Sequence, residues 1–147
     1  MNSFRSGTEM TRINLIPPAD LTDQHLMAEY RELPRIFPLA RAAIAKGIVI
    51  GPARYTMGEG HIKFFYSRTD FLSARQGEII QELLKRGYDI QHRTPPAPLD
   101  ECGVSRWTPN QQDVEVNLQR LRERLREKPR GFYTKNKEPV ELDFYGF

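Results

Sequence analysis

The chain has 147 residues, 39% hydrophobic and 28% charged, with a formal net charge of +3. That length suits one domain around a single core, and the balance is that of a soluble folded protein rather than a disordered chain. No apolar run approaches the ~20 residues needed to cross a bilayer, the first residues lack the apolar centre of a secretion signal, and the lone Cys102 cannot close an internal disulfide. The expectation is a cytoplasmic protein with an incidental thiol.

In chain order, "ADLTDQHLMAEYRELPRIF" predicts a first helix with Leu26, Tyr30, Leu33 and Phe37 on its core face. Asp20 or Thr22 is available as its cap, and Pro34 should kink or interrupt it. A short helix, "LARAAIAKG", is predicted to follow and to stop at Gly47. Residues 48–63 read as a loop, and "FFY" (64–66) as irregular for want of a pairing partner. The next helix is predicted from a Ser67 or Thr69 cap, through an apolar face of Phe71, Leu72, Ile79, Ile80, Leu83 and Leu84, to Gly87. "HRTPPAPLDECG" is a proline-rich connection. A last helix is predicted with Thr108 as N-cap, Pro109 at its first position, a stripe of Val114, Leu118, Leu121 and Leu125, and Pro129 beyond its end. The tail, "RGFYTKNKEPVELDFYGF", is aromatic and basic without periodicity. The expected fold class is all-α: a compact single domain of three main helices, long loops and an aromatic tail.

Arginine supplies 16 of the 22 basic residues. Its planar fork matches phosphate oxygens in pairs, which weakly favours a nucleic-acid partner. On the first helix, the pattern is read with His25, Glu29 and Glu32 turned away from the core and with Gln24, Arg31 and Arg35 stacked along one flank. Spacing alone favours an ordinary solvated face carrying weak surface pairs. His25, His61 and His92 are far apart and lack a metal-binding companion motif, so no metal and no cofactor are expected. No phosphate-binding loop, dinucleotide fingerprint or serine nucleophile motif is present.

The stretches "MTRINL…LTDQHLMAEYRELPRIF" (10–37), "GEGHIKFFY" (58–66) and "DFLSARQGEIIQELLKRGYDI" (70–90) closely resemble the phage endonuclease V type of pyrimidine dimer DNA glycosylase, with weaker likeness in "WTP" and "QRLRERLREKP". The resemblance covers Met10 to about Lys135. It implies a compact helical enzyme that cuts the glycosidic bond at the 5′ pyrimidine of an ultraviolet-induced dimer and then nicks the backbone as an abasic-site lyase. By position, the nucleophile it implies is the α-amine of Thr11, exposed once the preceding Met is removed, and its essential carboxylate is Glu32. The DNA-contacting positions it implies are Arg12, Gln24, His25, Arg31, Arg35, Arg120, Arg124, Phe132 and Tyr133. Arg124 stands where the phage sequence has Lys, and the tail departs through an apparent insertion at Gly131 and the extra "EPVELDFYGF". The partner implied is double-stranded DNA carrying pyrimidine dimers or abasic sites. The family kinks this duplex and extrudes a base from the complementary strand. The expected protein is a monomer that does not engage membranes.

A terminal amine suits this chemistry. Its pKa near 8 leaves roughly a tenth neutral at pH 7, against under ~0.1% for a lysine near 10.4. The expectation is therefore that residues 1–9 are a non-native or flexible leader, 10–135 the catalytic domain, and 136–147 a C-terminal extension. If the chain starts at Met1, the nitrogen of Thr11 is an amide. The alternative is then a catalytically inactive DNA-binding protein of the same fold, and a further one is an abasic-site lyase without dimer specificity.

Overall fold

The computed structural model describes residues 12–47 and 51–146, and over them the chain is predominantly helical. The first rod is split. Helix α1 (Asp23–Glu32) passes into a 3-10 turn at Leu33–Arg35 and then α2 (Ile36–Ala45). Pro34 causes the break, since it has no N–H to donate and its ring collides with the carbonyl four residues back. Thr22 is the cap, its hydroxyl accepting the His25 N–H at 3.1 Å. Helix α2 begins at Ile36, three residues before the predicted "LARAAIAKG", and Gly47 at φ +77° follows it.

The loop expected over 48–63 ends in a single helical turn, α3 (His61–Phe64), and the "FFY" stretch runs from its last residue into a turn without strand, as expected; Phe64 and Phe65 are both buried. Their rings meet each other, Tyr55 and Trp107 edge-on at centroid distances of 5.1–6.1 Å. That cluster, rather than any local periodicity, fixes the segment. Helix α4 (Thr69–Lys85) buries Leu72, Ile79, Ile80 and Leu83, with Phe71 and Leu84 at the margin. Neither Ser67 nor Thr69 caps it. Arg68 holds the cap position without a side-chain bond, and the Thr69 hydroxyl accepts the Leu99 N–H at 2.9 Å, pinning the proline-rich connection.

Helix α5 (Gln111–Arg126) also starts later than predicted. Asn110, not Thr108, is the cap, and it forms a reciprocal box with Asp113 at 2.8 and 3.0 Å. Two orphan N–H groups are satisfied this way where Thr108 would satisfy one. Leu121 and Leu125 are buried, while Val114 and Leu118 pack at the core's edge.

Glu29 corrects the reading of α1. It is fully buried rather than solvent-facing. It lies three residues after Leu26 and four before Leu33, on the border of the core face, and Arg75 of α4 meets it at 2.8 and 3.1 Å. The tail is also folded. Strands β1 (Thr134–Lys135) and β2 (Glu138–Pro139) pair antiparallel, Thr134 opposite Pro139. Their turn holds Asn136 and Lys137 at φ +53° and +70°. Buried Asp23 accepts both of their N–H groups, at 3.1 and 2.8 Å, and the Thr134 hydroxyl at 2.6 Å.

Candidate active site and nucleic-acid interface

The site begins with the segment from Arg12 to Ile16, which has no regular structure and is anchored side to side. The Ile13 N–H donates to His61 Nε2 at 2.8 Å, and the Ile13 carbonyl accepts the Tyr55 hydroxyl at 2.8 Å. The Leu15 N–H donates to Asn117 Oδ1 at 2.7 Å, and the Ile16 carbonyl accepts Arg75 at 2.6 Å. Asn14 donates to Glu29 at 2.9 Å and accepts from Asn117 at 2.8 Å, so α1, α4 and α5 grip the segment through one buried polar network. Because His61 accepts at Nε2, its proton sits on Nδ1, which donates to the Thr56 carbonyl at 2.6 Å. Burial pulls this imidazole down to about 4, against the opposing pull of the Thr56 bond, so it is neutral.

Arg12 turns from the anchored segment into a pocket of about 280 Å³ between α1, α5 and the tail. Arg120, Arg124 and Lys128 line the same pocket, with Asn14, Gln24, His25, Phe132 and Tyr133. Burial, then repulsion from Arg120 and Arg124, lowers the Arg12 guanidinium below its ordinary value. The positive charges thus crowd one another, and an anion placed among them would relieve that repulsion. Carboxylates also reach this cluster: Arg124 meets Glu127 at 3.2 Å, and Arg120 approaches Glu123 at 4.0 Å. Gln24 clamps Thr134 through both amide atoms, at 3.0 and 2.8 Å. The aromatic pair divides its roles: Tyr133 is buried and stacks on His25 at 4.6 Å, whereas Phe132 is half exposed at the rim.

Glu32 lies farther along α1, in a separate, largely apolar cavity of about 260 Å³ lined also by Ile13, Arg35, Ile36 and Ile62. Arg35 reaches both Glu32 oxygens at 3.1 Å. The 3-10 turn makes this possible, since at three residues per turn positions i and i+3 eclipse. Arg31, expected beside Gln24 and Arg35, instead lines a third cavity of about 440 Å³ with Tyr30, Pro34, Gln76, His92, Thr94 and Pro96. The Tyr30 hydroxyl fixes its wall, donating to the His92 carbonyl at 3.0 Å and accepting the His92 N–H at 2.9 Å.

Of the residues predicted to form the site, the structure therefore gathers Arg12, Gln24, His25, Arg120, Arg124, Phe132 and Tyr133 around one pocket. Glu32 and Arg35 sit together in the next, and Arg31 stands apart. Thr11 lies outside the described residues. Asn14, Lys128 and the network around Glu29 and Arg75 were not anticipated. The signal for the network was present: Arg75 and Gln76 fall three and four residues after Leu72 and before Ile79 and Ile80, on the apolar face of α4, where a charge requires a buried partner. Among the described residues no group of three or more His, Cys, Asp or Glu side chains could hold a metal ion.

Fold and site together define a class: a small helical protein with an arginine-lined, aromatic-rimmed pocket between its first and last long helices. Residues 10–95 match the pyrimidine dimer DNA glycosylase family. The chain belongs to that family, and its partner is DNA. Helix α5, with Arg120 and Arg124, lies beyond the matched span.

Proposed function

We propose that the chain excises the 5′ base of a pyrimidine dimer through the α-amine of Thr11 and then nicks the strand without a metal. The observation that carries this reading is the anchoring of residues 12–16. Arg12 lines the basic pocket and Ile13 lines the Glu32 cavity, which supports a nucleophile carried just ahead of them in the sequence. In this reaction the neutral amine attacks C1′ of the deoxyribose as the glycosidic bond breaks; its electrons pass to the base, which takes a proton from water and stays joined to its neighbour in the dimer. The amine gives one proton to the Glu32 carboxylate, which passes it to the ring oxygen O4′ as the sugar opens, leaving a protonated Schiff base. Abstraction of a C2′ proton then expels the 3′ phosphate, and water releases the amine. Arg12, Arg120 and Arg124 hold backbone phosphates during these steps. The cavity beside Arg31 receives the base displaced from the opposite strand, with Tyr30, Pro34 and Pro96 as apolar walls.

The test is strand scission of dimer-containing duplex by two forms of the chain, one beginning at Thr11 and one at Met1. The Thr11 form should nick in the presence of EDTA, and Glu32→Gln should abolish nicking while duplex binding persists. Equal nicking by the two forms, or full activity in Glu32→Gln, would overturn the mechanism.

A further inference from the structure

The last residues fold back onto the N-terminus of α1 and end beside His25. Val140 donates its N–H to the Tyr133 carbonyl at 3.1 Å, and Arg122 of α5 holds the Tyr145 carbonyl at 3.0 Å. Tyr145 is buried as a result, 6% exposed. Its hydroxyl accepts the Thr22 N–H at 3.0 Å and lies 2.7 Å from His25 Nδ1, while the Thr22 hydroxyl lies 2.9 Å from the same nitrogen.

Counting protons fixes the histidine. The Tyr145 oxygen already accepts from the Thr22 backbone, and the Thr22 oxygen from the His25 backbone. Each hydroxyl keeps one proton to give; the single lone pair of Nδ1 can take the Tyr145 proton, and the Thr22 proton can go to the Tyr145 oxygen. A proton on Nδ1 would take that acceptor from Tyr145. Nδ1 therefore accepts, and the neutral ring carries its hydrogen on Nε2. Burial, followed by the charge of Arg124, pulls the imidazole down to about 4, which agrees with a neutral ring. Nε2 is buried with no hydrogen-bond partner among the described residues, on a residue that lines the basic pocket. A donor left unpaired beside cations suits an oxyanion, which both can bind at once.

We propose that the C-terminal segment from Val140 to Gly146 positions His25 through the Tyr145 hydroxyl, presenting the His25 Nε2–H to a DNA phosphate held by Arg12, Arg120 and Arg124. Tyr145 is a positioning residue, since it acts through His25. The inference rests on the DNA reading above, and it gives the extension a part in binding. Tyr133, stacked on the same ring, holds it from the other side.

The test uses the full chain, its labelled histidine ¹⁵N resonances and a short undamaged duplex, so it does not depend on excision. In the free protein His25 should show a protonated Nε2 and a bare Nδ1, and the Nε2–H resonance should move when duplex is added. Tyr145→Phe should weaken duplex binding by about two- to tenfold, the worth of one neutral hydrogen bond. In a His25→Phe background the same change should cost nothing further. If His25→Phe does not fold, His25→Gln serves as the background, because it offers an N–H there without a tautomer to set. A proton on Nδ1, an Nε2–H indifferent to duplex, or an equal loss from Tyr145→Phe in both backgrounds would overturn the proposal. Failure of excision with these results intact would count against the Thr11 mechanism alone.

Discussion

Replacing Arg75 with Met tests the network that holds the N-terminal segment. The side chain is 5% exposed and that of its partner Glu29 is fully buried. The substitution removes the 2.8 and 3.1 Å bonds to the carboxylate and the 2.6 Å bond to the Ile16 carbonyl. Breaking a buried pair from one side costs about 3–5 kcal/mol, because the remaining charge has no solvent to turn to. Domains of this kind have about 5–15 kcal/mol in all. With an unfolding entropy near 2.1 cal/mol/K per residue, the melting temperature should fall by roughly 10–16 °C. Glu29→Leu combined with Arg75→Met should melt above Arg75→Met alone, since the orphaned charge is gone. Thermal melts followed by circular dichroism or calorimetry read both. A fall below about 3 °C, or simple addition of the two single effects, would refute the buried network as the clamp on residues 13–16.

Three further outcomes are expected. His25 and His61 are held near 4 in the folded chain, below the ordinary value of about 6.5, so the unfolded state takes up protons first as pH falls. Stability should be insensitive to them above about pH 6.5 and drop between there and about pH 4, by up to ~1.4 kcal/mol per pH unit for each histidine. Urea titrations at pH 7 and pH 5 check this, and equal stabilities would contradict it. Arg124→Ala should reduce the slope of log affinity against log salt by about one, through loss of one phosphate contact; an unchanged slope would remove Arg124 from the interface. A 2-aminopurine opposite the dimer should change its emission when the wild-type chain binds, and Thr94→Trp, which fills the cavity beside Arg31, should block that change. A normal change in Thr94→Trp would place the displaced base elsewhere.

The break at Pro34 was legible because a proline acts on its own turn, and the core faces of α4 and α5 were legible because their spacing is local. The caps were less so: Asn110 wins over Thr108 only through its reciprocal bonds with Asp113. The hairpin at Asn136 and Lys137 could not be read from the tail, since its left-handed turn depends on Asp23, 113 and 114 positions away. Glu29 and Arg75 were misread or passed over for the same reason: each is acceptable in the core only with the other there. At the site, spacing alone could not join Arg12 to Arg120 and Arg124, more than 100 residues on. The resemblance supplied that link, and the pocket shows its physical basis in shared walls and mutual repulsion. Arg35 left the expected row because it falls in the 3-10 turn and meets Glu32, while Arg31 lines a cavity with Tyr30.

The central claim is that a free amine on Thr11, working with Glu32, is the nucleophile. Borohydride trapping on a dimer-containing duplex, followed by peptide mapping of the adduct, tests it most directly. A chain beginning at Thr11 should be captured covalently through its terminal nitrogen, and Glu32→Gln should not. A chain that binds the duplex with its terminus free yet is never captured, or is captured through a lysine, would contradict the claim.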